Sequence, residues 1–312
     1  MKKIYKNILF IVILAGLLYI PGKILSQNAG IGDVTTKSMQ GVHTKLAEEE
    51  KETIDTIVVG DSESYTSISP MQLWNEHGFT AYAAGEPGAR LSEVKAVLNT
   101  AFSTQKPKLV MLETNVLFRP DKEDTCTQGK IAERMCAFFP LFKEHNAWKR
   151  AFLTRKDELY KGFAISSKVK PYAGSYDYMS KGSLPSNIEE DNLKIFREIK
   201  KMCEENGSTL VLYSSPSPVN YNTQRHNVLK DLADAEGLDY IDLNTKLDEL
   251  DIDWETDTRD RGDHLNVKGA RKTTAFLGKY LEEKYGLPDR RSESCAKEWD
   301  DLCHKYMEKL SK

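Results

Sequence analysis

A chain of 312 residues, 29% charged and 40% hydrophobic, has ordinary globular composition, with enough length for a sizeable core in one domain or in one domain with a large insertion. The formal net charge is −3, but Lys2, Lys3, Lys6 and Lys23 sit in an N-terminal stretch without acids, which leaves 40 basic against 47 acidic residues, about −7, for the remainder. That balance argues against nucleic-acid binding through a broad basic surface.

The three early lysines precede an uncharged run from Asn7 to Gly22, rich in Ile and Leu. As a helix it rises about 24 Å, slightly short of a hydrocarbon core of about 30 Å, and Lys6 and Lys23 can snorkel to extend it. The run reads as an uncleaved single-pass anchor over residues 1–26, with the rest of the chain outside the cytoplasm because the positive flank is N-terminal. A cleaved signal peptide is the alternative, although Ser26-Gln27-Asn28-Ala29 is a weak cleavage site. Residues 27–52, polar with acids at Glu48, Glu49 and Glu50, read as a linker or peripheral helix.

Strand-like and helix-like segments then alternate. Short apolar runs at Thr56–Val59, Thr80–Ala84, Lys108–Leu112, Thr209–Tyr213 and Tyr240–Leu243 read as strands covered on both faces. Between them, helical spacing appears in Leu91, Val94, Leu98 and Ala101, in Ile195, Phe196, Ile199 and Met202 of 188–205, and in Val228, Leu229 and Leu232 of 222–236. Val267, Ala270, Thr274, Leu277 and Leu281 form a last long face. This order predicts an α/β fold, a three-layer doubly wound sheet of about five parallel strands. The domain spans 53–285, with 119–186 as an insertion or cap and 286–312 as a C-terminal helical extension. The cysteines, Cys126, Cys136, Cys203, Cys295 and Cys303, include no C-x-x-C pair, so a structural zinc site has little support. In an exported domain, Cys126–Cys136 and Cys295–Cys303 are candidate local disulfides, leaving Cys203 free.

In such a sheet, ligands bind beyond the carboxyl ends of the strands. Three loops placed there carry useful residues: Gly60-Asp61-Ser62 after the first strand, Ala84-Gly85-Glu86-Pro87-Gly88 after the second, and Glu113-Thr114-Asn115 after the third. Asp263-His264-Leu265-Asn266 approaches the same edge from the loop before the last long helix. Ser62 is a nucleophile that needs a base, His264 can take and return its proton, and an acid, Asp260 or Asp263, should orient the imidazole. The Ser62 N–H, a glycine N–H at Gly85 or Gly88, and the Asn115 amide are candidate oxyanion donors. Each segment alone has a plainer reading: a strand-ending turn for Gly-Asp-Ser, a helix cap by Asp263 or Asn266, a turn residue for Asn115. Their joint placement favours chemistry. His226, in a helical pattern beside Arg225, could be a surface residue or line the site. His145 near Trp148 fits packing in the insertion. His43, His77 and His304 give no signal, and Glu63 is expected to be solvated.

Gly60-Asp61-Ser62, Gly85 or Gly88, Asn115 and His264 fall in the order of the four blocks of the SGNH (GDSL-type) hydrolases, and His264-Leu265-Asn266-Val267-Lys268-Gly269-Ala270 is similar to the last block. The resemblance covers about 53–285. With its N-terminal anchor and long insertion, the chain resembles the extracytoplasmic branch that includes teichoic acid D-alanylation proteins and polysaccharide O-acetyltransferases. This resemblance implies a serine esterase or acyltransferase working through a Ser62 acyl-enzyme. The acyl group, acetyl or D-alanyl, would pass to water or to a hydroxyl of a cell-envelope polysaccharide or teichoic-acid-like polymer. It further implies a membrane-bound O-acyltransferase as partner, and no metal or organic cofactor. The chain departs from the pattern twice. Glu113 stands where the third block has glycine, and Arg261 stands where the last block has its acid. Asp260 shares a face with His264 if 260–264 is a helical turn, whereas Asp263 could turn back onto the ring in an open loop. These departures motivate an alternative, a non-catalytic accessory or binding module. A phosphate-binding loop at Gly85–Gly88 lacks the surrounding fingerprint.

Overall fold

The computed structural model describes residues 45–121, 160–180, 184 and 186–311, with scattered residues between 5 and 19. The chain divides into two compact units, Met1–Gly41 with Lys122–Arg155, and Val42–Asp121 with Lys156–Lys312. In the first unit the described residues between 5 and 19 are helical, and Leu9, Phe10, Ile13 and Leu17 are exposed. Among the described residues no helix is long and apolar enough to cross a membrane. Part of the run Asn7–Gly22, expected as a spanning helix, lies outside the described residues.

The second unit is built on five strands, β1 (Thr56–Val59), β2 (Ala81–Ala83), β3 (Leu109–Glu113), β4 (Thr209–Ser214) and β5 (Asp239–Asp242). They pair in parallel in the order β2-β1-β3-β4-β5. Successive residues go to opposite sides. Ile57, Val59, Val110, Leu112, Leu210 and Leu212 enter one core layer, and Val58, Leu109, Met111, Val211 and Tyr213 enter the other. That double burial is why the strands read as continuous apolar runs rather than as alternating ones. The expected α/β doubly wound sheet is thus the observed one, with strand ends shifted by a residue or two.

Helices cover both faces: α1 (Ser62–Ser67), α2 (Pro70–His77), α3 (Leu91–Thr104), α4 (Glu190–Glu205), α5 (Thr223–Glu236), α6 (Leu247–Leu250), α7 (Val267–Tyr285) and α8 (Ala296–Leu310). Their ends follow local chemistry. Ser69 caps α2 with Pro70 in its first turn, and Asn222 caps α5. Asn266 caps α7 by accepting from the Lys268 and Gly269 N–H groups. Gly269 is required where α7 starts, since a Cβ there would lie 2.6 Å from the Asp257 carbonyl oxygen. The helical pair α1–α2 between the first two strands was not read from the sequence, because its turns are short and polar. From residue 160 the chain is already back in the core of the second unit, with Tyr160, Phe163 and Tyr178 buried, so only part of 119–186 departs from it.

The expected Cys295–Cys303 disulfide is absent: both thiols are free and buried, as is Cys203. Cys303 lies in α8 and Cys295 caps its start. Eight helical steps separate them by about 12 Å, beyond the reach of a disulfide. Cys126 and Cys136 lie outside the described residues.

Candidate active site

The sheet's direction of winding reverses between β1 and β3, and the crevice beyond their carboxyl ends is the expected ligand position. β1 stops at Gly60, whose φ of 149° favours glycine and whose added Cβ would sit 2.6 Å from Glu113 Cβ. Asp61 then caps α1, its Oδ1 accepting from the Glu63 N–H at 3.0 Å. Ser62 is therefore the first residue of α1, half-buried at the crevice.

His264 reaches it across 202 residues of sequence. Its loop is neither a helical turn nor open. The Thr258 hydroxyl donates to the His264 carbonyl at 3.0 Å and accepts from the Gly262 N–H at 2.7 Å. The Asp260 carboxylate accepts from the His264 N–H at 2.7 Å. Arg261 (φ 70°) and Gly262 (φ 90°) make the left-handed reversal. A side chain at Gly262 would lie 2.6 Å from Pro218 Cγ and 3.0 Å from Tyr172 Cδ2. The tight turn resolves which acid meets the ring. Asp260 Oδ2 is 2.6 Å from His264 Nδ1, while Asp263 Oδ2 is 3.5 Å away. On the other side of the ring, His264 Nε2 is 2.7 Å from Ser62 Oγ. A carboxylate on Nδ1 assigns the proton to that nitrogen, leaving Nε2 as the acceptor for the serine hydroxyl.

The electrostatics agree. Burial opposes a charged imidazole, but the Asp260 hydrogen bond and the charges of Asp263 and Asp260 outweigh it and hold His264 above its ordinary pKa. Asp260 is held below the usual carboxylate value: burial opposes this, and its bonds to the His264 ring and N–H prevail.

The expected oxyanion donors divide. Gly85 packs against the serine loop, where a Cβ would fall 1.8 Å from Ser64 Oγ and 2.8 Å from the Asp61 carbonyl oxygen. The next N–H, of Glu86, donates to the Gly60 carbonyl at 3.1 Å. A Cβ added at Gly88 (φ 65°) would meet nothing within 4 Å, so its turn conformation accounts for the glycine. Asn115 comes to the crevice, but its Nδ2 donates to Asp61 Oδ2 at 2.8 Å and its Oδ1 accepts from Arg225 Nη1 at 2.8 Å.

Glu63 overturns its expectation as a solvated residue: it is 4% exposed, because α1 turns it inward beneath the serine. Glu113 is 1% exposed and caps the 3₁₀ turn Thr114–Phe118, its Oε2 accepting from the Asn115 N–H at 2.9 Å. That bond gives the acid at this position a structural role. Burial and the nearby carboxylates push both acids up, Glu113 to about 8 through burial and the Asp61 charge. Arg119 Nη2 donates to Asp61 Oδ2 at 3.0 Å. Arg225, 7% exposed, stacks 4.3 Å above the Phe118 ring. Asn220 joins Glu63 and Asp263. Sequence reading missed Asn220, Arg225 and Arg119. The signal available was position: Asn220 and Arg225 follow β4 and Arg119 follows β3, at the same sheet edge as the loops already singled out.

Among the described residues, Asp260, Asp263 and His264 form the group whose ligand atoms lie close enough to hold a metal, within 4.8 Å of one another. Both ring nitrogens of His264 are engaged within 2.7 Å, one by Asp260 and one by Ser62, which is the arrangement of a proton relay. His226 lies elsewhere, its Nδ1 2.5 Å from Asp242 Oδ2, in a separate cavity of about 720 Å³. His77 pairs with Glu282 at 2.8 Å, and His43 and His145 lie outside the described residues.

No family model matches this sequence, and no curated protein matches it. Among solved structures, the chain is similar to a candidate acylhydrolase from Bacteroides fragilis, with 11% identity over 78% of this chain and 95% of the other and a TM-score of 0.41. It is also similar to a candidate platelet activating factor from Streptococcus pneumonia, with 12% identity, 78% and 93% covered and a TM-score of 0.43. A third likeness is a GDSL-like lipase from Bacteroides thetaiotaomicron, with 11% identity, 79% and 98% covered and a TM-score of 0.38.

Proposed function

We propose that the protein is a serine hydrolase or acyltransferase of SGNH type that acts on ester-linked acyl groups. The observation that carries this reading is the continuous relay Ser62 Oγ–His264 Nε2 at 2.7 Å and His264 Nδ1–Asp260 Oδ2 at 2.6 Å. Ser62 Oγ attacks the ester carbonyl as His264 Nε2 takes its proton. Asp260 keeps the Nδ1 proton in place and stabilises the imidazolium. The tetrahedral oxyanion needs donors on the crevice side, for which the Ser62 N–H, first in its helix, and the second amide hydrogen of Asn115 are assigned. Collapse expels the alcohol, protonated by His264, and leaves the acyl group on Ser62. Water or an acceptor hydroxyl then attacks, gives its proton to His264, and departs with the acyl group as Ser62 is reprotonated.

The finer reading extends this to the cell envelope. The domain carrying Ser62 would lie outside the cytoplasm, tethered through the apolar run after Lys6, and would act on acetyl or D-alanyl esters of an envelope polysaccharide or teichoic-acid-like polymer. A membrane-bound O-acyltransferase would supply the acyl group. Support comes from the basic-then-apolar N-terminus and from the order of the sequence blocks. Carbonate extraction and protease accessibility of intact cells test the location: a carbonate-resistant, protease-accessible chain is expected, and a protected chain in the soluble fraction contradicts it.

The alternative, a non-catalytic accessory module, is favoured by one feature, the engagement of the Asn115 amide with Asp61 at 2.8 Å. Turnover of p-nitrophenyl acetate by the full-length chain separates the two. Turnover that disappears in Ser62→Ala supports the enzyme, and turnover unchanged by that substitution defeats it.

A further inference from the structure

The loop from Ser215 to Asn222 joins the two halves of the site. Asn220 Nδ2 is 2.6 Å from Glu63 Oε1 and 2.7 Å from Asp263 Oδ1. A primary amide nitrogen carries two hydrogens. Here each meets a different carboxylate, one directly after the nucleophile and the other directly before the base. The clamp is itself fixed. The Asn220 N–H donates to Ser217 Oγ at 3.3 Å, and its carbonyl accepts from Arg225 Nη1 at 2.6 Å. Ser217 Oγ in turn lies 3.1 Å from the Gly262 carbonyl and 3.2 Å from that of Asp263, both in the histidine turn. Pro216 and Pro218 restrict the backbone between these contacts.

We propose that Asn220 is a positioning residue that decides which aspartate serves His264. By holding Asp263 Oδ1, it keeps that carboxylate 3.5 Å from Nδ1 and leaves the nitrogen to Asp260 at 2.6 Å. This rests on the acyl-transfer reading for its purpose, but not for its geometry. Two carboxylates converging on Nδ1 would overstabilise the imidazolium and make His264 a poorer base near neutrality. They would also divide the direction of the Nδ1 proton between two acceptors and turn Nε2 away from Ser62. An acid at position 220 would add a third carboxyl group to Glu63 and Asp263, whereas the Asn220 amide supplies a hydrogen to each. The charged groups facing His264 are Asp260, Asp263, Arg259 and Glu63, and those facing Glu63 are Glu113, Asp61, Arg225 and His264.

The test follows the His264 titration by NMR in the full-length chain labelled with ¹³C-histidine, with His264→Gln assigning the signal. The rate of fluorophosphonate labelling is measured over the same pH range. Asn220→Ala should raise the His264 midpoint by about one pH unit, and the acid limb of labelling should move with it. The double variant Asn220→Ala/Asp263→Asn should return the midpoint to the wild-type value or below. Asn220→Ser, with the same expected outcome, replaces Asn220→Ala if the latter loses its fold. A wild-type midpoint in the Asn220 variant, or a shift that Asp263→Asn fails to reverse, overturns the proposal. A midpoint that moves and is reversed while the wild-type Ser62 takes no label upholds the clamp and removes the acyl-transfer reading instead.

Discussion

The two ends of the sheet treat buried carboxylates in opposite ways. At the amino end, Asp55, 1% exposed, receives Arg290 Nε and Nη2 at 2.8 Å each and the Thr80 N–H at 3.2 Å. Here the buried acid meets a bidentate cation whose pKa is raised by its hydrogen bonds to Asp55, with Glu293 on its remaining nitrogen, and the pair closes the C-terminal segment onto β1. At the carboxyl end, Asp61, Glu63 and Glu113 crowd together, and both glutamates stand above their ordinary pKa. Asn115 and Arg119 bond Asp61, Asn220 bonds Glu63, and Arg225 backs the Asn115 amide oxygen. The amino end is matched for stability. The carboxyl end retains unfavourable charge proximity, which is where groups tuned for proton transfer are expected.

If that contrast is right, substitutions at the two ends separate activity from stability. Ser62→Ala or His264→Ala should lower ester turnover about 10⁴-fold or more with an unchanged melt. Asp260→Asn should cost about 10³- to 10⁴-fold and Asp263→Asn less than about tenfold, measured as kcat/KM, because only Asp260 reaches Nδ1 within 2.6 Å. At the other end, Arg290→Met strands the Asp55 carboxylate and should cost about 3–5 kcal/mol in denaturant unfolding, while the pH profile of turnover stays in place.

The remaining expectations are smaller and sharpen the contrast through pH. Turnover needs neutral His264, whose pKa is raised from 6.5, so kcat/KM should climb with pH through a midpoint above 6.5. The same shift contributes stability below 6.5 that is lost as pH rises through the folded value. Glu113 contributes a slope of the same sign. Its folded pKa of about 8 exceeds the ordinary 4.5, so the native state retains a proton that the unfolded chain releases, and stability should fall as pH rises between those values. Glu113→Gln should flatten that part of a stability–pH curve. Smallest of all, Cys295→Ser and Cys303→Ser should leave the effect of a reducing agent on the melt the same as in the wild type, since neither thiol is bridged.

Much of the fold was legible because parallel strands buried on both faces leave short apolar runs such as Ile57-Val58-Val59. The relay was legible in part. Ser62 and His264 were placed at one sheet edge by topology alone, whereas the choice between Asp260 and Asp263 depended on a reversal at Arg261 and Gly262 that no periodicity encodes. Glu63 was misread because an acid beside a serine has no apolar signature, and its burial is decided by the direction in which α1 leaves Asp61. Asn220 and Arg225 lay in a loop and a helix start without a motif, so only their contacts identify them.

The most direct measurement is mass-spectrometric mapping of the fluorophosphonate adduct on the full-length chain. The account predicts a single adduct on the peptide that carries Ser62, formed faster as pH rises through the His264 midpoint and lost in His264→Ala. An adduct on another residue, or labelling of Ser62 that persists without His264, would contradict it.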